Sequence, residues 1–274
     1  MNIDAHQHFW KYNPVRDAWI DDSMQVIRRD FLPQDLKPIL TANNINGCVA
    51  VQADQSETET EFLLECAKQN PFIKGVVGWL DLRAECIEER LEHYSKNKLF
   101  KGVRHIVQAE ANDFMLREDF QNGISKLNQF NLTYDILVFP QQLDAAITLV
   151  NKFPNQKFVV DHIAKPYIKE AKVKGWKANI QELAKAPNVY CKVSGMVTEA
   201  DLKHWKPSDF KPYLDIVFEA FGANRIIYGS DWPVCLLAAE YEQQLNIVQN
   251  YIQDFSEANK AKIMGGNAVE FYVL

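Results

Sequence analysis

The chain has only six histidines in 274 residues, and two of them, His6 and His8, stand one residue apart near its start. Side chains at i and i+2 of an extended strand point to the same face, so both imidazoles can enter one cavity. A third imidazole, His162, follows the apolar run Phe158-Val159-Val160-Asp161, and a carboxylate, Asp231, follows Ile226-Ile227-Tyr228-Gly229-Ser230. Three imidazoles and a carboxylate suit two kinds of chemistry. They can hold one divalent ion, such as zinc, with an open position. They can also polarise a carbonyl and deprotonate a water, with Asp231 as base. Trp232 and Pro233 are expected to desolvate Asp231 partly and raise its pKa. His93 and His204 lie in helix or loop contexts and are expected at the surface.

These residues need a scaffold that brings distant stretches together. Eight β-rich runs recur, at 3–6, 47–52, 73–80, 102–107, 132–138, 157–161, 189–193 and 225–229. The third, fifth and sixth are almost continuously apolar, as strands covered on both faces must be. Helical patterns fill the gaps. Ser56 with Glu59 reads as a capping box, and Pro33, Pro140 and Pro212 fall near helix starts. Strands alternating with helices, without repeats or a flexible linker, predict an α/β fold, a single-domain (β/α)₈ TIM barrel over residues 1–274. The alternative, an open doubly wound sheet, lacks the Gly-rich loop after its first strand. Residues 9–32, rich in Trp and charge, are expected to form a lid. In a closed barrel, strand ends meet at one mouth, so His6, His8, His162 and Asp231 should converge.

In this order the motifs resemble the amidohydrolase superfamily of metal-dependent-hydrolase barrels. The segments 6–10 (HQHFW), 79–82 (WLDL), 102–105 (GVRH), 161–166 (DHIAKP), 192–195 (KVSG) and 229–234 (GSDWPV) are similar to its sugar-lactonase branch. The resemblance implies a carboxylic-ester hydrolase opening a small-molecule lactone of an L-fucose or L-rhamnose type. It implies catalytic roles for Asp231, His162, Arg104 and His105, with His6, His8, His162 and Asp231 as ligands if a metal is bound. Metal-dependent relatives carry a further His on strand five, where this chain reads Leu132-Thr133-Tyr134-Asp135-Ile136. A two-metal centre is therefore not expected, and the branch is thought not to require a metal. Arg104 and His105 are neighbours in a strand, so one of them should face the cavity. Trp10, Trp79 and Trp232 offer flat apolar faces to a sugar ring. Gln7, Lys165, Lys192 and Ser194 are candidate binders of hydroxyl or carboxylate groups.

The composition is consistent with such an enzyme. Thirty basic and 36 acidic residues give a formal charge of −6 with no basic stripe, which argues against nucleic acid or an anionic membrane as partner. Five scattered cysteines, none in CxxC spacing, read as reduced thiols, and no signal-like segment opens the chain; a cytoplasmic setting is expected. A homo-oligomer is compatible with the sequence. The competing functions are a decarboxylase or another ester or amide hydrolase on the same barrel, and a sugar-binding protein without catalysis.

Overall fold

A computed structural model describes residues 1–274. Eight parallel strands follow one another around the sheet in chain order. They are β1 (Ile3–Gln7), β2 (Gly47–Val51), β3 (Ile73–Gly78), β4 (Phe100–His105), β5 (Thr133–Ile136), β6 (Phe158–Val160), β7 (Val189–Val193) and β8 (Ile226–Tyr228). The first strand closes on the last through a parallel bridge between Gln7 and Trp232. His8 N donates to Trp232 O at 2.7 Å and Asp231 N to His6 O at 2.8 Å. The result is the (β/α)₈ barrel.

The helices are α1 (Pro33–Ala42), α2 (Glu57–Gln69), α3 (Ile87–Ser95), α4 (Glu118–Leu127), α5 (Leu143–Lys152), α6 (Lys174–Leu183), α7 (Pro207–Phe221) and α8 (Tyr241–Tyr251). Local signals set several starts. Pro33 opens α1, and Ser56 Oγ caps α2 by accepting from Glu59 N at 3.2 Å. The capping box is incomplete, because the Glu59 carboxylate turns instead to the N–H groups of Ala53 and Asp54. Pro207, not Pro212, begins α7, and Pro212 lies inside it.

Two apolar cores result. The larger lies between strands and helices. The smaller fills the lower barrel, where Ile3, Ala5, Val49, Val51, Val77, Val159 and Ile227 meet Ala268, Phe271 and Tyr272 of the last helix, α10 (Asn267–Tyr272); α9 (Glu257–Ala261) precedes it. The chain's final helix thus plugs the base of the barrel, leaving only the upper mouth for polar groups. Residues 9–32 cross that mouth. Phe9 and Phe31 pack edge-on against Trp232, and Trp10 pairs with Phe31 through an antiparallel bridge. No helix is long and apolar enough to cross a membrane.

Candidate active site

A cavity of about 370 Å³ opens at the mouth, lined by His8, Trp10, Trp19, Arg104, His162, Lys165 and Asp231 among others. Its floor is built from strand ends. A bulge between Asp4 and Gln7 interrupts the register of β1 with β2. His6 and His8 face inward, while Gln7 between them points out of the barrel to Cys48 Sγ at 3.4 Å. Gln7 is therefore turned away from the cavity, as the alternation that pairs the two imidazoles requires.

Asp231 is the point of convergence. Its Oδ1 lies 3.2 Å from His8 Nε2, 3.8 Å from His6 Nε2 and 3.8 Å from His162 Nε2. Asp4, on the outer face of β1, sets the turn that carries it by accepting from Ser230 N at 2.9 Å, Ser230 Oγ at 2.6 Å and Tyr241 OH at 3.0 Å. Burial pushes the Asp231 pKa up, but His162 and His8 pull harder and leave it below its ordinary value. The expected rise is thus reversed. Trp232 does not drive one either, for it packs beneath residues 9–32 and does not line the cavity.

His8 Nδ1 lies 2.8 Å from Val51 O, a group that can only accept, so this nitrogen carries a hydrogen. Its Nε2 then meets Asp231 Oδ1 at 3.2 Å, a contact that closes only with a cation between lone pairs: a proton or a metal ion. His6, His8 and Asp231 place ligand atoms within 4.8 Å of one another; His162 groups instead with His6 and Asp161. The donor set suits a single divalent ion in number and kind.

His162 reaches the site by an unusual route. β6 stops at Val160, and His162, Ile163, Ala164 and Lys165 all have φ between 47° and 58°. Left-handed backbone costs about 1–2 kcal/mol per non-glycine residue. Burial of Ile163 and Ala164, and the bond from Trp176 Nε1 to Ile163 O at 2.8 Å, oppose that cost. Ser194 Oγ meets His162 Nδ1 at 2.9 Å, so Ser194 orients the ring and is absent from the cavity lining. Burial holds the His162 pKa well below its usual value despite Asp231.

Arg104 and His105 part company. β4 runs to His105, so alternation sends Arg104 inward and His105 out. His105 stacks on Phe114, meets Glu110 at 2.9 Å and accepts from Trp79 Nε1 at 3.3 Å. Neither His105 nor Trp79 lines the cavity. Arg104 Nη1 stands 3.2 Å from Asp161 Oδ2 and 3.3 Å from His6 Nε2. Lys165 lines the cavity and pairs with Glu199 at 3.3 Å. Lys192 is fully buried beneath the site, 2.5 Å from Asp135 Oδ2 and 3.0 Å from Asp161 Oδ1.

Sequence reasoning missed Asp135, Asp161 and Trp19. Asp161 was visible as the neighbour of His162 at a strand end. Asp135 sits on the strand searched for a histidine. Trp19, half-exposed over the cavity, carries the signal of a large aromatic in the crossing segment.

The amidohydrolase family model matches residues 3–274. An L-fucono-1,5-lactonase from Burkholderia multivorans is 39% identical over 286 residues, covering 100% of this chain and 96% of that protein. A second L-fucono-1,5-lactonase, from Burkholderia ambifaria, is 35% identical, covering 99% and 95%. A crystal structure of an amidohydrolase from Burkholderia multivorans with bound zinc superposes with a TM-score of 0.96 at 38% identity, covering 100% and 99% of the two chains. The matched span and the full-length relatives place the chain in the amidohydrolase family, to which it belongs.

Proposed function

We propose that this protein hydrolyses a sugar lactone of the L-fuconolactone type to the aldonic acid. The observation that carries the reading is the convergence of three imidazole Nε2 atoms on one Asp231 oxygen, within 3.2–3.8 Å, at the floor of a closed-sided cavity. The full-length likeness to two L-fucono-1,5-lactonases supports lactone hydrolysis over decarboxylation or binding alone.

The substrate ring lies between Trp10 and Trp19, with residues 9–32 acting as the lid. Lys165 with Glu199 receives its hydroxyl groups. Arg104 and His6 direct hydrogens at the lactone carbonyl oxygen, and each such donor is worth about 2.7–4 kcal/mol as negative charge develops. Water adds to the carbonyl carbon and its proton passes to Asp231 Oδ1. The tetrahedral adduct then breaks its ring C–O bond, and the proton held between Asp231 and His8 goes to the departing alkoxide. A divalent ion, when bound by His6, His8 and Asp231, would supply Lewis-acid polarisation and a more acidic water.

The test is acid release, read with a pH indicator, from a panel of sugar lactones, with and without chelator. The wild-type protein releases acid from a 6-deoxyhexonolactone, and Asp231→Asn lowers kcat/KM by about 10³-fold, within the range general base catalysis supplies. Release from no lactone, or full activity in Asp231→Asn, overturns the reading.

A further inference from the structure

We propose that Lys192 is a positioning residue that holds His6 in the Nε2–H tautomer, so that His6 and Arg104 offer a pair of N–H donors to the lactone carbonyl oxygen. The kinetic part rests on the lactonase reading; the tautomer does not. Lys192 Nζ is wholly enclosed and has three hydrogens to place. It donates to Asp135 Oδ2 at 2.5 Å and to His6 Nδ1 at 3.2 Å, and pairs with Asp161 Oδ1 at 3.0 Å. Asp135 is held in turn by Tyr272 OH at 2.8 Å.

An ammonium cannot accept, so His6 Nδ1 must present a lone pair to Lys192. The rival arrangement puts the hydrogen on Nδ1 and aims it at Asp161 Oδ1, 3.3 Å away. That oxygen lies off the line of a ring N–H, and the Lys192 ammonium stands nearer to it, at 3.0 Å. Arg104 Nη1 also faces the ring, 3.3 Å from Nε2. Two obligate donors therefore flank one neutral imidazole with a single lone pair. Lys192 takes it, because its surroundings are closed and Asp135 Oδ2 and Asp161 Oδ1 leave the third of its hydrogens with His6 Nδ1 as its acceptor. Arg104 borders the cavity, where an incoming oxygen can replace the ring as acceptor. Once Nε2 bears the hydrogen, Nε2 and Nη1 are two donors side by side, spaced to share one oxygen. Zinc on the same Nε2 requires the opposite tautomer and the loss of the Lys192 bond, so Lys192 also weakens metal binding by His6.

Histidine-¹⁵N-labelled protein, examined by long-range ¹H–¹⁵N NMR with His6 assigned by its loss in His6→Asn, tests this directly. Wild-type His6 shows hydrogen on Nε2 alone. In Lys192→Met it moves to Nδ1, kcat falls about 10²-fold with KM within about threefold, and zinc binding by calorimetry tightens at least about tenfold. A hydrogen on Nδ1 in the wild type overturns the proposal, as does an unmoved Nε2–H in folded Lys192→Met. If Lys192→Met does not fold, the wild-type spectrum alone decides. Failure of the lactonase reading shows separately, as an Nε2–H His6 in a protein that opens no lactone.

Discussion

Two strand ends carry the same kind of cargo and deliver it differently. β4 ends in Arg104-His105 and β6 is followed by Asp161-His162, each a polar residue beside a histidine. On β4 the pleat continues to the last residue, so Arg104 enters the barrel and His105 is turned out against Phe114. After β6 the strand stops early and four left-handed residues follow, so Asp161 and His162 both end inside. Alternation permits one functional side chain per pair of strand residues. A strained turn evades that limit, at a cost the surrounding packing must meet.

Three substitutions probe this contrast. His162→Asn should have the largest effect, lowering kcat by about 10²-fold as one polarising group is lost; steady-state kinetics on a lactone reads it, and unchanged kcat would strip the β6 turn of its purpose. Gly195→Ala comes next. Gly195 has φ +58°, and an added Cβ would stand 2.4 Å from His162 Nδ1. The methyl group should destabilise the protein by about 1–2 kcal/mol in urea denaturation and shift the ring enough to lower kcat about tenfold. His105→Asn should be the mildest for catalysis, leaving kcat/KM within about threefold while costing about 1 kcal/mol of stability through its lost bond to Glu110. Should His105→Asn match His162→Asn in kinetics, the contrast between the two strand ends would fail.

Much of the scaffold was legible before any coordinates. All eight strands overlap the predicted runs, β1 running one residue further and β4 starting two residues earlier, because parallel barrel strands are apolar on both faces and their helices are amphipathic. His6, His8, His162 and Asp231 were legible from strand-end position, and Arg104 from the family resemblance of its segment. The residues that miss the cavity lining share a cause. Gln7, Trp79, Trp232 and His105 were included by proximity to strand ends, whereas the face of the sheet decides what reaches the cavity. Ser194 and Lys192 do matter to the site's geometry, but one layer below the substrate. Asp135 and Asp161 escaped notice because their partners come from β1, β4 and β7, and pairings between strands far apart in sequence leave no local trace.

The plug at the base of the barrel has a consequence for how the protein comes into being. Tyr272 completes the coordination of Asp135, and Asp135 steadies the lysine beside His6. The first strand of the barrel therefore contains a histidine whose surroundings are finished by a tyrosine of α10, beyond the eighth strand. Contacts so distant in sequence slow folding. A chain lacking α10 would carry every named catalytic group and still lack a finished centre.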